Sequence, residues 1–63
     1  MDTQVQNVSK RGDWYTVKGY VNGRPVSADI HAKDVDGKSR QEAERNLRRS
    51  VELVAEYEKK EGR

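Results

Sequence analysis

The sequence has no cysteine, no phenylalanine, one proline and one tryptophan in 63 residues. Without cysteine, neither a disulfide framework nor a thiolate metal site can support a small fold. Without phenylalanine, and with 32% hydrophobic residues, any core has to be made mainly of Val, Ala, Leu and Ile. This length allows one small domain over residues 1–63, and such a domain buries only about 60% of the surface its unfolded chain exposes. Either the packing is very economical, or a partner chain or ligand completes the fold. Long apolar runs are missing too: none approaches the roughly 18 residues of a membrane span, and no signal-peptide pattern opens the sequence. The expectation is a cytoplasmic protein with no membrane partner, which the lack of cysteine fits.

An excess of charge of one sign is also lacking. The chain carries 13 Lys and Arg against 11 Asp and Glu, a net charge of +2 with 38% of residues charged. That balance describes a surface laced with ion pairs, without the stronger basic excess usual in nucleic-acid binders. Paired carboxylates, a nucleophile–base pair and a phosphate-cradling glycine loop are all missing. His31 is the lone histidine, and "DVDG" (34–37) begins like a calcium loop without its later ligand positions. No catalytic residue, metal site or cofactor is expected, and the protein reads as a non-enzyme.

What is present is a clear hairpin, "WYTVKGYVNGRPVSADIH" (14–31). Asn22-Gly23 is the strongest short-range signal for a two-residue type I′ turn. That turn sets Val21 opposite Arg24, Val17 opposite Ala28 and Trp14 opposite His31. Side-chain alternation then puts Tyr15, Val17, Val26, Ala28 and Ile30 on one face, the core. Trp14, Thr16, Lys18, Tyr20, Ser27, Asp29 and His31 share the other. Before the hairpin, "KRGD" (10–13) is a turn signal, with Gly12 suited to positive φ. Residues 1–10 are expected to be a short edge strand or a partly frayed arm. Their only apolar residues after Met1, Val5 and Val8, are spaced by three, which does not suit one face of a regular strand.

After the polar loop "KDVDG" (33–37), "SRQE" (39–42) matches a capping box, in which Ser39 accepts from the N3 amide and Glu42 reaches back. Ala43, Leu47, Val51 and Val54 then form a helical stripe flanked by Leu53 and Tyr57. The spacing predicts a helix from about Arg40 to Glu58 within an element spanning 39–59, with Glu44 placed to pair with Arg48 and the tail "KKEGR" frayed. The expected fold is α+β: an antiparallel sheet of two to three strands packed on one C-terminal helix.

Functional signal is concentrated in Trp14, Lys18 and Tyr20, which face water. An aromatic and basic sheet face can enter a major groove, stack on unpaired bases, or bury its aromatics against protein. Lys10, Arg11, Arg24, Lys33, Lys38 and Arg40 lie in turns or at the helix start, where phosphate contacts are usually made. Asp13, Asp29, Asp34 and Asp36 sit among them and would repel phosphate.

"RGDWYTVKGYVNGR" followed by "KSRQEAERNL" resembles the arm-type DNA-binding domain of phage and transposon tyrosine integrases. That family has a Gly-x-Trp strand start, an Asn- or Asp-Gly turn, and a helix opening like Lys-Thr-Lys-Lys-Glu-Ala-Glu; here Lys38 to Glu44 stand in that last pattern. The likeness spans about residues 10–50 and departs at "DVDG", where the family has an aromatic. It implies a three-stranded sheet in the major groove with Trp14, Thr16, Lys18, Tyr20 and Arg24 facing DNA. "VNGR" and "SRQEAE" are also similar to the C-terminal half of a double-stranded RNA-binding domain.

The sequence therefore points to a small phage or bacterial nucleic-acid-binding module, DNA ahead of RNA. Its candidate residues are Lys10, Arg11, Trp14, Thr16, Lys18, Tyr20 and Arg24. The alternative is a small regulatory protein whose same aromatic face binds protein, as a homodimer or docked on a larger nucleic-acid enzyme.

Overall fold

In the computed structural model, which describes residues 2–62 and side chains as far as 60, two tight turns organise the N-terminal half. Gly12, at φ 62°, turns β1 (Thr3–Arg11) into β2 (Trp14–Val21). Asn22 and Gly23, at φ 53° and 81°, turn β2 into β3 (Arg24–His31). Positive φ at both central residues is the type I′ signature, whose twist matches that of the flanking strands. The register follows from it, running from Val21 opposite Arg24 to Trp14 opposite His31. The sheet is three-stranded and antiparallel, ordered β1-β2-β3, so Pro25 lies on an edge strand, where a missing N–H is tolerated.

Of the two expectations for the N-terminal segment, the edge strand is the one found, though it is nine residues long rather than short and is not regular. β1 is a full strand with a bulge: Val5 opposes Gly19, Asn7 opposes Lys18, and Gln6 is the extra residue between them. One inserted residue resets the alternation. Val5 and Val8 therefore end on the same face, opposite Gly19 and Val17 of β2. Gly19 is the reason the bulge fits. A Cβ there would collide with the Gln4 carbonyl oxygen and come 3.1 Å from Val5 Cα.

His31 leads into a single 3₁₀ turn, Ala32–Asp34, and the helix α1 follows over Arg40–Gly62. Ser39 Oγ accepts from the Glu42 N–H at 3.2 Å, one half of the capping box. The Glu42 carboxylate, rather than reaching back, lies 3.9 Å from Lys38 Nζ. Glu44 pairs with Arg40 on the preceding turn at 3.5 Å rather than with Arg48. The expected fraying of "KKEGR" does not begin at Lys59, since the helix runs through Lys59 and Lys60 to Gly62, and Arg63 lies outside the described residues. Nothing before Gly62 opposes helix, and cations in the last turn complement the helix dipole.

The helix lays Val51 on the sheet, where it and Val17 are fully buried. Val21, Val26 and Ala28 complete the buried cluster, with Ile30, Leu47, Val54 and Ala55 packed around it. Leu53 and Tyr57 stand well off this stripe, 50% and 65% exposed. At 100° per residue Leu53 lies nearly opposite Val51, so both face solvent. Two hydrogen bonds pin the helix laterally: Thr3 Oγ1 donates to Glu52 Oε2 at 2.6 Å, and Asn46 Nδ2 to the Asp34 carbonyl at 2.8 Å. No helix of the described residues is long and apolar enough to cross a membrane.

Candidate nucleic-acid interface

The helix covers one side of the sheet, and the pleat delivers alternate residues to the other. Four cross-strand rows form this open face: Arg11–Trp14–His31, Ser9–Thr16–Asp29, Asn7–Lys18–Ser27 and Gln4–Tyr20–Pro25. Trp14 is 51% exposed and Tyr20 39%, at opposite ends of β2. The Trp14 indole meets the His31 ring edge-on, with centroids 5.1 Å apart. His31 is itself held, because its Nδ1 accepts from the Lys33 N–H at 3.1 Å. An edge contact leaves an indole face available for stacking.

Arg11 and Lys18 are the cations of these rows and Asp29 their one acid. Asp29 Oδ1 accepts from the Thr16 hydroxyl at 3.1 Å, which occupies one of its oxygens. Asp2 and Asp13 stand at the two ends of the face. Beside Lys18, a shallow notch of about 410 Å³ opens between Gln6, Asn7, Tyr20, Pro25 and Ser27. Primary amides, a lysine and a flat apolar surface are thus side by side. These are the groups that bond purine edges in the major groove and touch the thymine methyl.

Five of the seven residues singled out from the sequence come together here: Arg11, Trp14, Thr16, Lys18 and Tyr20. Lys10 and Arg24 do not. Lys10 opposes Tyr15 and Arg24 opposes Val21, so both lie on the helix side of the sheet. Arg24 borders a cleft of about 690 Å³ shared with Glu56, Lys59 and Lys60. Lys10 Nζ donates to Asp36 Oδ2 at 2.9 Å, the Tyr15 hydroxyl donates to Asp36 Oδ1 at 2.6 Å, and the ammonium lies 5.4 Å from the Tyr15 ring centroid. The Tyr15 hydrogen bond, and then that of Lys10, holds the Asp36 carboxyl below its ordinary value. The same bonds to Asp36 push Lys10 and Tyr15 upward. Lys10 and Asp36 neutralise each other, and neither charge faces the open side.

Sequence reasoning missed Gln4, Gln6, Asn7 and Ser9, because it gave the first ten residues no register. The signal was present: a Val-x-x-Val spacing in one strand, and an inward glycine in the next to admit a bulge. Comparison of the chain with protein-family models, curated proteins and solved structures finds no match.

Proposed function

We propose that this protein is a nucleic-acid-binding module that uses the open face of its sheet, with duplex DNA as its substrate. One observation carries the reading: four rows of amide, hydroxyl, aromatic and basic side chains, with a single acid among them, on a face that no other element of the described residues covers. Strands about 4.8 Å apart make a three-stranded sheet about 10 Å across its outer axes. The major groove of B-DNA is about 12 Å wide and admits β-structure, whereas that of A-form RNA is deep and narrow. In this reading Lys18, Asn7 and Gln6 meet base edges at the groove floor. Arg11, at the turn, meets phosphate, and Trp14 packs beside it on sugar or base.

The reading is tested by titrating mixed-sequence duplex DNA and double-stranded RNA at several salt concentrations. Lys18→Ala and Arg11→Ala are each expected to weaken DNA binding and to lower the salt slope by about 1. Lys10→Ala, whose charge is already spent on Asp36, is expected to change neither. Equal effects from all three variants would overturn the assignment to the open face.

A second reading has its own support. The two exposed aromatics at the ends of β2 also suit anchors in a protein interface rimmed by charge. Burial of Trp14 by a protein partner persists at high salt, and binding through phosphates does not.

A further inference from the structure

The open face makes no use of the sheet's outer edge at β1. Over nine residues this strand pairs only with β2, so its outward-pointing N–H and C=O groups have no strand partner. Such an edge is a template for another strand. Its helix-side face is also unfinished. Val5 is 39% exposed and Val8 37%, and with Leu47 they line a cleft of about 370 Å³ rimmed by Glu44 and Arg48. Arg48 has no ion pair among the described residues, since Glu44 turns to Arg40.

The bulge selects how two such edges could meet. Two copies related by a two-fold axis normal to the sheet pair antiparallel, with opposed residues on the same face. In a regular strand Val5 and Val8 lie on opposite faces and are never opposed this way. With Gln6 inserted they share a face, and the register that sets Val5 opposite Val8 of the second copy becomes allowed. That register also sets Gln4 opposite Ser9, both on the open face, and Thr3 opposite Lys10, both on the helix side. It sets Asp2 opposite Arg11 at each end, an opposite-charge pair made twice by the symmetry. Cross-strand pairs of opposite charge and of β-branched residues are the favourable kinds.

We infer that β1 is a self-association edge: two copies join β1 to β1 in the Val5–Val8 register, giving one continuous sheet with both helices on the same side. Val5 and Val8 are then covered, and both open faces lie side by side on the other surface. The dimer is an alternative to groove binding by the single sheet, since six strands span about 24 Å against a major groove about 12 Å wide, and it is tested without nucleic acid.

The test is mass by sedimentation equilibrium as a function of concentration, with far-UV circular dichroism to establish that each variant folds. The wild type is expected to reach twice the 7.3 kDa of one chain. Val8→Lys is expected to hold the mass at one chain. Asp2→Arg and Arg11→Asp are each expected to raise the dimer dissociation constant about tenfold, and the double swap to restore it. A single-chain mass up to about 1 mM protein, where affinity is only about 4 kcal/mol, overturns the inference. So does a dimer unmoved by Val8→Lys and the swaps, or one that the double swap fails to restore. If Val8→Lys does not fold, the charge swaps alone decide.

Discussion

Val17 and Asp36 mark the extremes of what single side chains do in this protein. Val17 is fully buried at the centre of a core in which Val51 is, among the described residues, the other fully buried side chain. Val17→Asp would bury a carboxylate with no partner, so a loss of more than about 4 kcal/mol and of the folded circular dichroism spectrum is expected. Asp36 is exposed, and its role is local: it ties the loop after β3 to Lys10 and Tyr15. Its lowered carboxyl favours the charged form in the folded state, first through Tyr15 and then through Lys10. That contribution is present above the ordinary value of 3.8 and is lost as pH falls through the lowered one. Lys10 and Tyr15 are raised, so their share is complete below the ordinary values of 10.5 and 10.0 and is lost as pH rises beyond them. The loop is therefore held best between these limits. In an NMR titration of the Asp36 carboxyl, Tyr15→Phe is expected to move its midpoint up toward the ordinary value. An unmoved midpoint would contradict Tyr15 as the main cause of the lowering.

Among the elements, β1 and its bulge carry the most consequence. Gly19→Ala drives a Cβ into the Gln4 backbone, which no side-chain rotation relieves. A destabilisation of about 1–3 kcal/mol is expected by chemical denaturation, together with altered amide shifts from Gln4 to Asn7. If the variant were as stable as the wild type, with those shifts unmoved, the close approach would be wrong. The hairpin of β2 and β3 was legible in the sequence because Asn22-Gly23 sets a register by local backbone geometry alone. Val17 and the helical stripe were legible because period and burial coincide. For β1 the edge strand was one of two readings and the bulge was not legible, since a bulge is a response to a neighbour: it needs Gly19 opposite it, and alternation within one strand does not register that. The helix end and the Glu44 pairing were misjudged for a related reason. Glu44 had two arginines within one turn, and sequence spacing does not choose between them.

At the scale of the molecule, the fold sorts charge by side. It sends Lys10 and Asp36 to the helix side to cancel each other and leaves Arg11 and Lys18 on the open one. The helix and its approach are themselves balanced, with 8 basic and 8 acidic residues over 33–62, so the open face has no basic excess: Arg11 and Lys18 stand against Asp29 within its rows and Asp2 and Asp13 at its ends. Among the described residues the single α-helix covers one side of the sheet and leaves the other open. Trp14, the chain's only tryptophan, is half exposed on that side and reports on it without any label. The most direct measurement is Trp14 fluorescence during titration with mixed-sequence duplex DNA at low salt, followed by addition of salt. The expected result is a change in emission on binding that salt reverses and that Lys18→Ala weakens. Emission unchanged by duplex DNA and by double-stranded RNA at about 50 µM, within the range of ordinary non-specific affinity, would contradict the assignment of the open face to nucleic acid.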